Sequence, residues 1–134
     1  MVKLVFFAAV VVVCVAAGPL LADVYKCDIN AGASQGNWIA ARYSFDFDVN
    51  SSSVSVSDGV AEAFLGGPAA GKIVANTAKK LVFTWVIATK DSSNQQVNMQ
   101  YRASLFKSTM AMTVTATPPG YSNTFQARGT CSPA

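Results

Sequence analysis

The sequence predicts an all-β domain, a small antiparallel meander barrel of about eight strands, with a two-sheet β-sandwich as the alternative. Three observations carry this prediction. Leu81–Thr89 is a nine-residue run of β-branched, aromatic and aliphatic side chains without charge, Gly or Pro. Such a run is too short to cross a bilayer as a helix and suits a strand. Segments of period-two alternation recur on both sides of it, separated by turn-rich gaps. Finally, Cys27 and Cys131 stand near the two ends of the chain, where a bond between them would bring the first and last strands together.

The first 22 residues read as a secretory signal peptide. Met1-Val2-Lys3 is a short basic start, Leu4 to Ala17 is nearly all Val, Ala, Leu and Phe, and small residues follow. Cleavage after either Ala17 or Ala22 fits. With Ala22 as the cut, residues 23–134 form one β domain that keeps nine Lys and Arg against seven Asp and Glu, a net charge of +2. The leader implies export to the periplasm or beyond the cell, with no stable membrane span once it is removed. In that compartment an even pair of cysteines reads as a disulfide.

Each strand is predicted from its alternation. Tyr25, Cys27 and Ile29 face one way in the first. Asn30 to Gly36 is a loop, and Ile39, Ala41, Tyr43, Phe45 and Phe47 mark the second. After a turn at Asn50–Ser53, Val54 and Val56 mark the third. Asp58 to Leu65 fits either a strand or a helical turn and is ended by Gly66-Gly67-Pro68. A short strand around Lys72–Ala75 precedes the central run, in which Leu81, Phe83, Trp85 and Ile87 face the core. The opposite face is also mostly apolar, which predicts that it is at least partly covered. Keeping core parity across the next hairpin sets Trp85 opposite Tyr101, Ile87 opposite Met99 and Phe83 opposite Ala103, with Asp91–Gln95 as the loop. The following hairpin is predicted to pair Leu105 with Met110, Ala103 with Met112 and Tyr101 with Val114. The last strand points Phe125, Ala127, Gly129 and Cys131 inward, with Gly129 making room for Met112.

The chemistry that is missing excludes more than the residues present propose. There is no histidine, so the commonest general base and transition-metal ligand is absent. Without histidine no serine can belong to a histidine-dependent triad, and Glu62 is the sole glutamate. Asp46 and Asp48 share a strand face, but the predicted face is solvated. Asp46, Asp48 and Asn50 match the first three positions of an EF-hand loop, whereas Ser51 and Ser57 replace its Gly and bidentate Glu. No metal or cofactor is expected, and no enzymatic activity. Lys and Arg are scattered singly apart from Lys79-Lys80, which argues against nucleic acid as a partner.

Tyr25-Lys26-Cys27-Asp28 after a leader, with Gly129-Thr130-Cys131 closing a small all-β domain, resembles the framework of periplasmic inhibitors of C-type lysozyme. The likeness covers the two chain ends. The Ser-Gly-x-x-Tyr type of motif whose loop enters the lysozyme cleft has no counterpart, so inhibition is implied only as a runner-up and no functional residue carries over.

The expectation is thus an exported, non-enzymatic binding or structural domain. One place for a ligand is the interior, where Trp85, Met99, Tyr101, Met110 and Met112 would face a small apolar molecule. The other is the loops Asn30–Gly36, Asp91–Gln96 and Pro118–Asn123, with Tyr121 and Asn123 meeting a partner protein.

Overall fold

A computed structural model describes residues 23–32 and 37–134, so the predicted leader, with Cys14 and both cleavage points, lies outside the described residues. The chain forms β1 (Asp23–Asn30), β2 (Arg42–Asp48), β3 (Ser53–Asp58), α1 (Gly59–Leu65), β4 (Ala69–Asn76), β5 (Lys80–Lys90), β6 (Gln96–Phe106), β7 (Ala111–Thr117) and β8 (Phe125–Pro133). Every strand pairs antiparallel with the next, and β1 pairs with β8, which closes the barrel. The barrel is the predicted architecture, and the sandwich is not formed.

Alternation decides which side chains enter. In β5 and β6, Leu81, Phe83, Trp85, Ile87, Met99, Tyr101, Ala103 and Leu105 are buried. Their predicted register holds: Trp85 pairs with Tyr101, Ile87 with Met99 and Phe83 with Ala103. Rings fill the centre. Phe45 stacks on Phe83 at 5.0 Å between centroids, Trp85 stacks on Tyr101 at 5.2 Å, and Tyr43 lies against both Phe45 and Trp85. Aromatic pairs in this range contribute about 0.5–1.5 kcal/mol each beyond the area they bury.

The outer face of β5 is partly covered, as expected: Val82 is buried, while Val86 is 53% exposed. Three expectations need correction. The β6–β7 hairpin is offset by two residues, with Leu105 opposite Met112, Ala103 opposite Val114 and Tyr101 opposite Ala116. A turn over 107–110 causes the shift. Met110 takes φ 58° there and donates its N–H to Phe106 O at 2.8 Å, so it packs beside the core from the turn and not from the inner wall. A shift of two keeps parity, so Met112 and Val114 still face inward, as predicted, and Met110 is the exception. Next, β2 begins at Arg42: Ile39 is buried but lies in the β1–β2 connection, and Ala41 is exposed. Last, Gly129 does pair with Met112, but its missing side chain makes room for β1 instead, since a Cβ there would collide with the Asp28 carbonyl and with Ile29 Cα at 2.7 Å.

Asp58–Leu65 resolves as a strand end followed by a helix. The Asp58 side chain accepts from Ala61 N–H at 2.9 Å, and Gly66, at φ 70°, terminates the helix with its N–H on Glu62 O. In β4 the register slips between Ile73 and Ala75, leaving Val74 as an extra residue opposite β5. Such a bulge adds the local twist that a closing sheet requires.

Cys27 and Cys131 are directly opposite one another on β1 and β8 and are bonded, with Cα atoms 4.0 Å apart. The Cys131 N–H points away from β1, to Met110 O at 2.8 Å. The cysteines therefore occupy a non-hydrogen-bonded pair, the position at which facing antiparallel Cα atoms approach most closely.

Candidate functional site

Because the strands alternate in direction, four connections gather at one end of the barrel: 31–32 with 37–41, α1 with 66–68, 91–95 and 118–124. Two of the predicted partner loops, Asp91–Gln96 and Pro118–Asn123, are brought together there. Of the third, Asn30–Gly36, only 30–32 are among the described residues.

The mouth at this end is plugged. Tyr101 donates its hydroxyl to Trp38 O at 2.7 Å, and Tyr43 Oη accepts from Ala40 N–H at 3.0 Å. Two tyrosines rooted in the core thus hold the 37–41 segment across the opening, which buries Ile39. Asp58 pairs with Tyr43 across β2 and β3. Burial raises the Asp58 carboxyl above its usual range, while the N–H of Ala61 works against that rise. Burial also raises both tyrosine hydroxyls, and the neighbouring Asp58 charge adds to each shift. Among the described residues, Asp58 Oδ2 and Trp85 Nε1 are buried without a hydrogen-bond partner.

Beside the plug lies an open cleft of about 540 Å³. Trp38 forms one wall, with its ring stacked on Phe64 of α1 at 6.1 Å. Pro118, Tyr121, Asn123 and Phe125 form another, 91–95 closes the side, and Val97 and Met99 line the base. Asp91 organises its own loop: Oδ1 accepts the N–H groups of Ser93 and Gln95, both at 2.9 Å. Its other oxygen accepts from the Tyr121 hydroxyl at 3.5 Å, a long contact that links the two loops. Tyr121 remains 52% exposed. The wall chemistry is aromatic rings with hydroxyls and amides, suited to adaptable hydrogen bonding around rigid contact area.

The predicted interior residues are split between places. Trp85, Tyr101, Met99 and Met112 are each at most 3% exposed inside the barrel, and Met110 lies in the turn at the far end. A concavity of about 580 Å³ touches Trp85 and Tyr101, but its other walls, such as Lys72, Val86 and Gln100, belong to the outer surface. Asp46 is exposed, and Asp48 Oδ1 accepts from Asn50 N–H at 2.9 Å to shape the β2–β3 turn.

Sequence reasoning missed Trp38 and the Asp58–Tyr43–Tyr101 latch. For Asp58 a signal existed: an Asp before Gly-Val-Ala-Glu and a Gly after Leu65 bracket a helix. Nothing local marks Tyr101 as the partner of Trp38, 63 positions away. Among the described residues no helix is long and apolar enough to cross a membrane, and no group of three His, Cys, Asp or Glu could hold a metal ion. Comparison with known protein families, curated proteins and solved structures finds no match to this chain.

Proposed function

We propose that this chain is an exported, non-enzymatic binding domain that recognises a partner protein through the cleft at its loop-bearing end. The observation that carries this reading is the convergence of 37–41, 91–95 and 118–124 on one aromatic-walled cleft beside a filled barrel. The rigid scaffold behind the loops limits the ordering cost of binding. The disulfide is compatible with export, as the leader pattern of residues 1–22 suggests. A small apolar ligand inside the barrel is the weaker reading, because it would have to displace the Trp85–Tyr101 stack.

Immobilised protein is incubated with envelope and extracellular fractions, and captured proteins are compared for wild type, Tyr121→Ala and Asn123→Ala. A partner retained by wild type and lost with Tyr121→Ala is the expected result. Equal recovery from wild type and both variants would remove the cleft from the proposal.

A further inference from the structure

The barrel separates its charges into two walls. Residues 23–65 carry Lys26 and Arg42 against six carboxylates, a formal net charge of −4. Residues 66–134 carry seven Lys and Arg against Asp91 alone, a formal net charge of +6. In sequence these cations are scattered, but strand pairing aligns three of them. Lys72 pairs with Thr84, Thr84 with Arg102 and Arg102 with Thr115, so one outward-facing row crosses β4 to β7. Arg128 lies beside Thr113, one outward position further along β7.

Two adjoining grooves follow this row. One, of about 580 Å³, is lined by Lys72, Thr84, Gln100, Arg102, Thr115 and Thr117 among others. The next, of about 490 Å³, shares Arg102 and Thr115 and adds Ser104, Thr113 and Arg128. Lys72, Arg102 and Arg128 are exposed, and none has an ion-pair partner among the described residues, where the ion pair is Arg42–Asp28 on β1 and β2.

We propose that this β4–β8 outer wall binds an acidic polysaccharide, a sugar polymer bearing carboxylate or sulfate groups. Lys72 and Arg102 are two strands apart, about 10 Å at ordinary strand spacing. Cations so far apart match a polymer with a charge on each sugar or every second sugar. They match poorly the charge of duplex DNA, about one per 1.7 Å. The threonine, serine and glutamine side chains between them offer hydrogen bonds to sugar hydroxyls. Across the two grooves Phe106 is the one exposed ring, with Lys80 Nζ over it, so there is no row of aromatic platforms on which successive bases could stack, the feature that single-stranded nucleic acid sites rely on. This surface is separate from the loop-end cleft and does not depend on it.

The test measures binding of the full exported chain to polygalacturonate and to dextran sulfate at low salt. Uncharged dextran, oligo-dT and sedimentation of the protein alone serve as the other arms. Wild type should bind one or both charged glycans and not dextran, and more weakly as salt rises. The variant Lys72→Gln/Arg102→Gln/Arg128→Gln should bind at least about tenfold more weakly. A control with the same loss of charge, Lys26→Gln/Lys79→Gln/Lys90→Gln, should stay within about threefold of wild type, as should Tyr121→Ala. If the triple variant does not fold, Arg102→Gln alone is read, with a loss of about threefold or more expected. Absence of glycan binding, or equal losses in both triple variants, would overturn the proposal. So would tighter binding of oligo-dT at the same salt, or self-association that only the wall variant abolishes.

Discussion

At one end of the barrel the strands are joined by three tight turns, over 49–52, 77–79 and 107–110, each closed by its own short-range hydrogen bonds. Thr77 Oγ1 accepts the N–H groups of Lys79 and Lys80, and Lys107 N–H reaches across to Lys79 O at 2.9 Å. At the other end the connections are longer, and they are held in two ways: 37–41 by Tyr101 and Tyr43 from the core, and 91–95 and α1 by Asp91 and Asp58 at their own starts. A tight turn leaves little chain to carry a binding surface. A longer connection has chain to spare and can present side chains such as Trp38 and Tyr121. The difference makes the loop end separable from the barrel, which can be tested.

The largest expected effect lies at the seam that both ends share. Cys27→Ala/Cys131→Ala removes a bond spanning 104 positions. On the chain-entropy account such a link is worth about 4–5 kcal/mol. Thermal denaturation should therefore show a melting temperature lower by about 15–20 °C, at roughly 4 °C per kcal/mol. A fall of only a few degrees would mean that pairing along β1 and β8 holds the seam unaided. Hydrogen exchange in the variant should rise first in these two strands, while the tight turns between β4 and β7 keep their protection.

Next is the plug. Tyr101→Phe keeps the ring stacked on Trp85 but leaves Trp38 O without its donor. Losing such a bond costs about 1–2 kcal/mol, or about 4–8 °C in melting temperature. Faster exchange of the amides at 37–41, with 107–110 unchanged, would establish that the two ends are independent. Uniform acceleration across the barrel would show that the plug is part of the core and not a separable lid.

How much of this difference could be read in advance follows from where each signal resides. The barrel was legible because inward parity is a local, period-two property: Tyr25, Cys27 and Ile29, or Phe83, Trp85 and Ile87, announce their face without reference to any partner. The bonded cysteines were legible for a compositional reason, being the two that lie outside the predicted leader. The β6–β7 offset was not legible, since Lys107-Ser108-Thr109-Met110 has no Gly to mark where φ turns positive, and Met110 takes that conformation instead. The plug was hidden because Trp38-Ile39-Ala40 continues the strand pattern and is bent away only by hydroxyls 63 and 3 positions distant. The cleft was half visible, as two loops whose convergence depends on closure.

The latch also gives the loop end a pH dependence. Burial raises Asp58 above its ordinary carboxyl value of 3.8, so folding favours the protonated form. Stability contributed by that form is complete below the ordinary value and is lost as pH rises through the raised one. Asp58→Asn keeps an oxygen for Ala61 N–H but cannot ionise. The melting temperature of the variant should therefore gain on wild type as pH rises from about 4, and then hold a constant difference. A difference that is flat with pH would mean the carboxylate is adequately solvated where it sits.

The smallest stability effect is expected where the proposed function resides. Tyr121 is half exposed, and its hydroxyl reaches Asp91 only at 3.5 Å, so Tyr121→Ala should alter stability by less than about 0.5 kcal/mol. Asp91→Ala is the informative contrast, because it removes the acceptor of two loop N–H groups at 2.9 Å. It should cost about 1 kcal/mol and raise exchange at 92–95. If the cleft is the recognition surface, both variants lose partner recovery, Tyr121→Ala with the fold unaltered and Asp91→Ala with its loop loosened. If Tyr121→Ala proves as destabilising as Asp91→Ala, the tyrosine is a structural strut of the 118–124 connection, and the cleft loses its principal contact residue.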